Sequence, residues 1–133
     1  MIRSFLDTNI LIYAFSREEK AFVARRLLDG GSGIGVQSLN EFVSVSRRKF
    51  GRPWPDIKEA LAAIRKACEP VVVLDEAVHE AGIMIAERYH LRIYDALIAA
   101  AAIRCGCSIL WSEGMQDQMV IEPGLRIVNP FRT

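Results

Sequence analysis

Ser4-Phe5-Leu6-Asp7-Thr8-Asn9-Ile10-Leu11-Ile12-Tyr13-Ala14-Phe15 decides how this chain is read. Two apolar segments, Ser4 to Leu6 and Ile10 to Phe15, are broken by three consecutive polar residues. The first segment reads as a buried strand, and the break as a turn and the start of a helix. A carboxylate therefore stands where a buried strand ends.

Outward from this stretch the pattern alternates. Ala21 to Leu28 has apolar residues at helical spacing and stops at Gly30-Gly31. Ile34 to Gln37 reads as a short strand. Ser38-Leu39-Asn40-Glu41 has the form of a capping box, predicting a helix to Phe50 with Leu39, Phe42, Val43 and Phe50 available for the core. Gly51 to Asp56 reads as a turn. Ile57, Ala60, Leu61, Ile64 and Cys68 mark one helix face, closed by Pro70 before the β-branched run Val71 to Val73. Glu76 to Tyr89 is amphipathic, and Asp95 opens Ala96 to Ile103, a segment apolar all round that belongs against a sheet. Ser108 to Trp111 and Leu125 to Val128 supply the last strands. Strands alternating with helices predict a three-layer α/β domain with a mainly parallel sheet.

The 133 residues fit one domain, 1–133, with one core. A composition 51% hydrophobic and 25% charged is that of a globular protein rather than a disordered tail. Seventeen basic residues against sixteen acidic ones leave a formal charge of +1, so a polyanion must be met by a local patch. Arg47, Arg48, Lys49 and Arg52 beside Trp54 form the best such patch; the alternative is a solvated helix end favoured by the helix dipole. Cys68, Cys105 and Cys107 are odd in number, and Cys105-Gly106-Cys107 lacks the two-residue gap of the usual zinc and redox pairs, so all three read as reduced and buried. Asp7 comes too early for a signal peptide and no apolar stretch spans a bilayer, which predicts a cytoplasmic protein.

Asp7, Glu41 and Asp95 each interrupt or border apolar sequence. Singly, each has a structural explanation: a local turn, a capping box, a helix N-cap. Together they read differently, because ligands of parallel α/β sheets gather outside the carboxyl ends of the strands, where Asp7 and Glu41 fall and which Asp117 would approach. Crowded carboxylates repel one another unless protonated or shared by a cation. Oxygen donors with no His or Cys nearby favour Mg²⁺ or Mn²⁺ over zinc. His79 and His90 lie on or at the end of a helix, away from this set. A receiver domain would bring a lysine from a late strand, yet none follows Lys66; a haloacid-dehalogenase phosphatase would place a second aspartate at Asn9.

Phe5 to Tyr13, Ser38-Leu39-Asn40-Glu41-Phe42, Tyr94 to Ala101, Ile109-Leu110-Trp111-Ser112-Glu113 and Leu125 to Phe131 resemble, in this order, the motifs of PIN-domain nucleases, and especially the VapC-like toxins of toxin–antitoxin pairs. The resemblance covers nearly the whole chain. It implies a three-layer α/β/α fold, a Mg²⁺ or Mn²⁺ held by Asp7, Glu41 and Asp95, and endonucleolytic cleavage of RNA. It also implies Asn9 and Ser112 as orienting groups, a homodimer, and a cognate antitoxin partner. The sequence departs from the pattern at Gly114, where family members carry an aspartate; Asp117 and Glu113 are the substitutes within reach along the chain. That departure supports an alternative expectation, a catalytically weakened module that binds RNA or a protein partner without cleaving.

Overall fold

The computed structural model describes residues 3–132; Met1, Ile2 and Thr133, which the expected domain span includes, lie outside the described residues. Its opening strand, β1 (Ser4–Leu6), sends neighbouring side chains to opposite faces, as an extended chain must. Phe5 joins one apolar core with Leu97, Leu110 and Ile127. Leu6 joins a second with Ile10, Leu11, Phe42 and Ile64. Both are 0% exposed, so this strand lies between two helical layers.

The remaining elements are α1 (Thr8–Ala14), α2 (Lys20–Asp29), β2 (Ile34–Gly35), α3 (Val36–Arg48), α4 (Trp54–Ala67), β3 (Val71–Val72), α5 (Glu76–Tyr89), α6 (Ile93–Arg104), β4 (Ile109–Trp111), β5 (Val120–Ile121) and β6 (Leu125–Val128). The main sheet has the order β1-β4-β6-β5, with β1, β4 and β6 parallel and β5 antiparallel. A parallel pair, β2 and β3, is joined to it through a bridge between Phe5 and Gly33. Residues of α1 to α4 pack on the Leu6 face and residues of α5 and α6 on the Phe5 face, giving the expected α/β/α layering. In α6, Ala96 to Ala102 are all buried, as an all-apolar helix requires. Against it lies Gly82 of α5, where a Cβ would come 2.6 Å from Leu97 Cδ2, so a side chain there would require Leu97 to shift.

Several boundaries differ from the sequence reading. The expected strand Ile34 to Gln37 stops at Gly35, because its pairing with β3 lasts only two residues, and Val36 already begins α3. Ser38 thus sits one turn inside the helix, with its hydroxyl buried and unpartnered among the described residues, and the expected capping box does not form. Trp54, Pro55 and Asp56 form the first turn of α4, a place where proline's missing N–H is tolerated. Phe50 lies beyond α3, 43% exposed, beneath the cationic ends of Lys49 and Arg52. Of the β-branched run only Val72 is buried, since β3 is a marginal strand. The antiparallel strand β5 carries too short a pattern to be read from sequence.

Candidate active site

Asp7 closes β1 and caps α1. Its Oδ1 accepts a hydrogen bond from the Thr8 amide at 2.7 Å, and its Oδ2 accepts one from the Ser112 hydroxyl at 2.7 Å. Ser112 follows β4, the parallel neighbour of β1, and the Asp7 amide reaches Trp111 O at 3.0 Å across that pair. The Ser112 hydroxyl also receives the Met115 amide at 3.3 Å, which fixes its own proton toward Asp7. Asp7 is 6% exposed. Burial pushes its pKa up to about 6; the Ser112 and Thr8 hydrogen bonds pull down, and Asp95 and Glu41 push further up. No salt bridge to Asp7 offsets this cost among the described residues.

Glu41 projects from the second turn of α3. The Thr8 hydroxyl donates to its Oε1 at 3.1 Å, and the Gln37 amide group reaches the same oxygen at 3.3 Å. Gln37 also donates to Tyr94 O at 3.2 Å, tying α3 to the start of α6, one residue before Asp95. Asp95 lies in the first turn of α6, with Arg92 rather than Asp95 at the N-cap position. Burial raises the Asp95 pKa, Arg92 opposes the rise, and Glu41 adds to it. Three carboxylates from separate elements thus share one electrostatic environment at the carboxyl edge of the sheet. Thr8, Gln37 and Arg92, absent from the sequence-derived set, join them; the i, i+4 spacing of Gln37 and Glu41 was the available sign.

The other candidates are placed differently. Glu113 accepts from the Tyr13 hydroxyl at 2.6 Å and is bridged to Lys20, whose ammonium lies 4.9 Å from the Tyr13 ring centre. Burial pushes its pKa up, but the Lys20 and Tyr13 hydrogen bonds outweigh this and leave it lowered. Asp117 accepts the Asn129 amide at 2.8 Å and faces Arg132 at 3.6 Å, so it clamps the end of β6, and it is not among the charges felt by Asp7 or Asp95. Both acids are thus engaged by other groups of the chain. Asn9 Oδ1 accepts the Glu113 amide at 3.4 Å, and a Cβ on Gly114 would meet Asn9 Nδ2 at an ordinary 3.6 Å. In the basic patch, Arg52 donates to Phe15 O at 2.7 Å, while Arg47 donates to Arg52 O at 3.0 Å and lies over Trp54 at 4.9 Å. Arg47 and Arg52 are therefore engaged in holding the α1 and α3 ends together, and Trp54 has a cation on one face.

The donors fit a hard divalent cation. Two accepted hydrogen bonds leave Asp7 with lone pairs for a further ligand, and Glu41 and Asp95 add oxygen donors of like charge. Among the described residues no three Asp, Glu, His or Cys side chains converge into a finished cage. Asp7 is thus a buried carboxylate, without a salt-bridge partner among the described residues, that shares its electrostatic environment with Glu41 and Asp95 at the carboxyl edge of a parallel sheet.

The PIN domain family model matches residues 4–119, and the chain belongs to that family. Its structure is similar to a toxin–antitoxin complex from Klebsiella pneumoniae, at 23% identity and TM-score 0.74, over 98% of this chain and 99% of that one. It is similar to the Mycobacterium tuberculosis VapC20, a sarcin–ricin loop cleaving toxin, at 19% identity and TM-score 0.68, over 84% and 90%. It also resembles VapBC2 from Rickettsia felis bound to a DNA fragment from its promoter, at 22% identity and TM-score 0.63, over 96% and 97%. At these identities the likeness is one of fold. No curated protein matches the chain. No helix among the described residues is long and apolar enough to cross a membrane.

Proposed function

We propose that this PIN domain is a divalent-metal-dependent endoribonuclease that hydrolyses RNA phosphodiester bonds, acting as the VapC-like toxin of a toxin–antitoxin pair. The observation that carries the reading is Asp7: a buried carboxylate with no basic partner among the described residues, held by Ser112 and Thr8 and electrostatically coupled to Glu41 and Asp95. A protein gains nothing in stability from such a group. Asp7, Glu41 and Asp95 would hold Mg²⁺ or Mn²⁺, which when bound supplies Lewis acidity toward the phosphodiester and its attacking water. The chain's own residues prepare that chemistry. Ser112 and the Thr8 amide fix both Asp7 oxygens, Thr8 and Gln37 aim Glu41, and Asn9 steadies the turn after β4. Arg92, exposed and electrostatically coupled to Asp95, is the cation proposed to meet the substrate phosphate, in preference to the engaged Arg47 and Arg52.

The proposed partners are RNA, a second copy of the chain and a cognate antitoxin; the toxin–antitoxin assemblies among the structural neighbours support the last. A second reading, a PIN domain that binds without cleaving, is favoured by Gly114 together with the engagement of Asp117 and Glu113 elsewhere.

The test is cleavage of a structured-RNA panel by the purified chain, free of antitoxin, with Mg²⁺ or Mn²⁺, beside an EDTA control and Asp7→Asn. Metal-dependent cutting lost in the variant is expected. Intact RNA with measurable metal binding would select the second reading.

A further inference from the structure

At the opposite, amino-terminal edge of the sheet, Cys105 ends α6, Gly106 turns the chain at φ +75, and Cys107 leads into β4. The backbone reversal brings the two sulfur atoms to 3.2 Å, in hydrogen-bond contact. Glycine is what lets the chain turn this sharply, since a residue with a side chain rarely adopts that φ. Both cysteines line a cavity of about 680 Å³ together with Arg3, Lys66 and Glu69, so a small molecule has access to them. Arg3 donates to Cys105 O at 3.0 Å. Cys105 is half-buried, which departs from the sequence reading of three buried thiols, whereas Cys68 and Cys107 are buried.

We propose that Cys105 and Cys107 form an exchange-active dithiol that reacts with small-molecule disulfides and closes reversibly into an intramolecular disulfide. The accessible Cys105 is the attacking sulfur. The Cys107 hydrogen bond is the main influence bringing its pKa down to about 7, against burial and with help from Arg3, and the same hydrogen bond holds Cys107 protonated. The Cys105 thiolate attacks one sulfur of the external disulfide RSSR, the S–S bond breaks, and one RS⁻ leaves and takes up a proton. Cys107 then loses its proton and attacks Cys105 Sγ, expelling the second RS⁻, which is protonated in turn. The dithiol loses two electrons, the external disulfide gains them, and two RSH are released. A ring closed across one residue restrains little of the unfolded chain, so this disulfide is a labile one that thiols reopen. Cys68 is an internal control, because burial pushes its thiol up to about 11.

The experiment incubates the full chain with oxidised glutathione, quenches in acid, alkylates the denatured protein with N-ethylmaleimide and maps the products by mass spectrometry. Wild type is expected to retain one alkylatable thiol, Cys68, with Cys105 linked to Cys107 and the link reversed by reduced glutathione. Cys107→Ser should accumulate a glutathione adduct on Cys105, and Cys105→Ser should react at least ~10-fold more slowly. Three free thiols after incubation, a persistent glutathione adduct in wild type, or a Cys105 link between two chains would overturn the proposal.

Discussion

Two acids at the same edge of the sheet, Asp7 and Glu113, have opposite surroundings. Glu113 is neutralised by Lys20 and the Tyr13 hydroxyl, and its pKa falls despite partial burial. Asp7, one strand away, is deeper, has hydrogen bonds but no paired cation among the described residues, and its pKa rises to about 6. On the proposed function, the bound metal would fill the deficit that the fold leaves at Asp7. The contrast separates an acid that holds structure from the one proposed to hold the metal.

The largest break in this contrast should come from Asp7→Asn. Loss of a direct ligand is expected to lower metal-dependent cleavage by more than ~10²-fold, beyond the range of outer-shell changes. The same variant should stabilise the metal-free fold above pH 6 by up to about 3 kcal/mol, since a pKa displaced by about two units carries that energy. Urea melts without metal would show it, and an unchanged or lower midpoint would contradict the burial cost assigned to Asp7. The sign also fixes a pH profile. A carboxyl raised from 3.8 to about 6 binds its proton more tightly when folded, so its contribution is complete below pH 3.8 and is lost as pH rises to about 6. Metal-free wild type should therefore lose stability over that window, with the slope reduced in Asp7→Asn.

Ser112→Ala comes next. It leaves Asp7 Oδ2 without its donor, and a 10–100-fold loss of metal affinity or cleavage is expected. Titration calorimetry alongside the RNA assay reads both, and wild-type values in each would remove Ser112 from the site. Gly114→Asp sharpens the comparison from the other side. The site has room for a side chain next to Asn9, so a further carboxylate should raise metal affinity several-fold, within the outer-shell scale. No gain would mean that the three existing acids already saturate the cation. Smallest of all is Glu113→Gln, expected to change cleavage less than about twofold, as partly exposed ion pairs contribute little. A loss as large as that of Ser112→Ala would show that Glu113 belongs with the ligands after all.

Much of this arrangement was legible along the chain. The break at Asp7, the all-apolar stretch after Asp95 and the β4 and β6 patterns each matched a described element, because burial on one face or on all faces leaves a periodic trace. The helix of Glu76–Tyr89 is legible for the same reason. The start of α3 was not. Ser38 and Glu41 have capping-box spacing, but the two-residue pairing of β2 with β3 ended the strand earlier and drew Val36 into the helix. Gly82 carried no visible instruction either; its reason is Leu97 on another helix.

At the sheet edge, sequence by itself determined which residue types were available: three carboxylates that interrupt or border apolar sequence, a serine after β4 and a glycine at position 114. It could not determine which acids would be compensated. The sequence offered Asp117 and Glu113 as substitutes for the acid absent at Gly114, and the fold brought Lys20, Tyr13, Asn129 and Arg132 to them, whereas Asp7 is held by the Ser112 hydroxyl and the Thr8 amide. Apolar periodicity is a local property that each element writes into its own residues. Charge compensation depends on partners up to a hundred residues away, such as Tyr13 and Glu113, and only the folded chain chooses them.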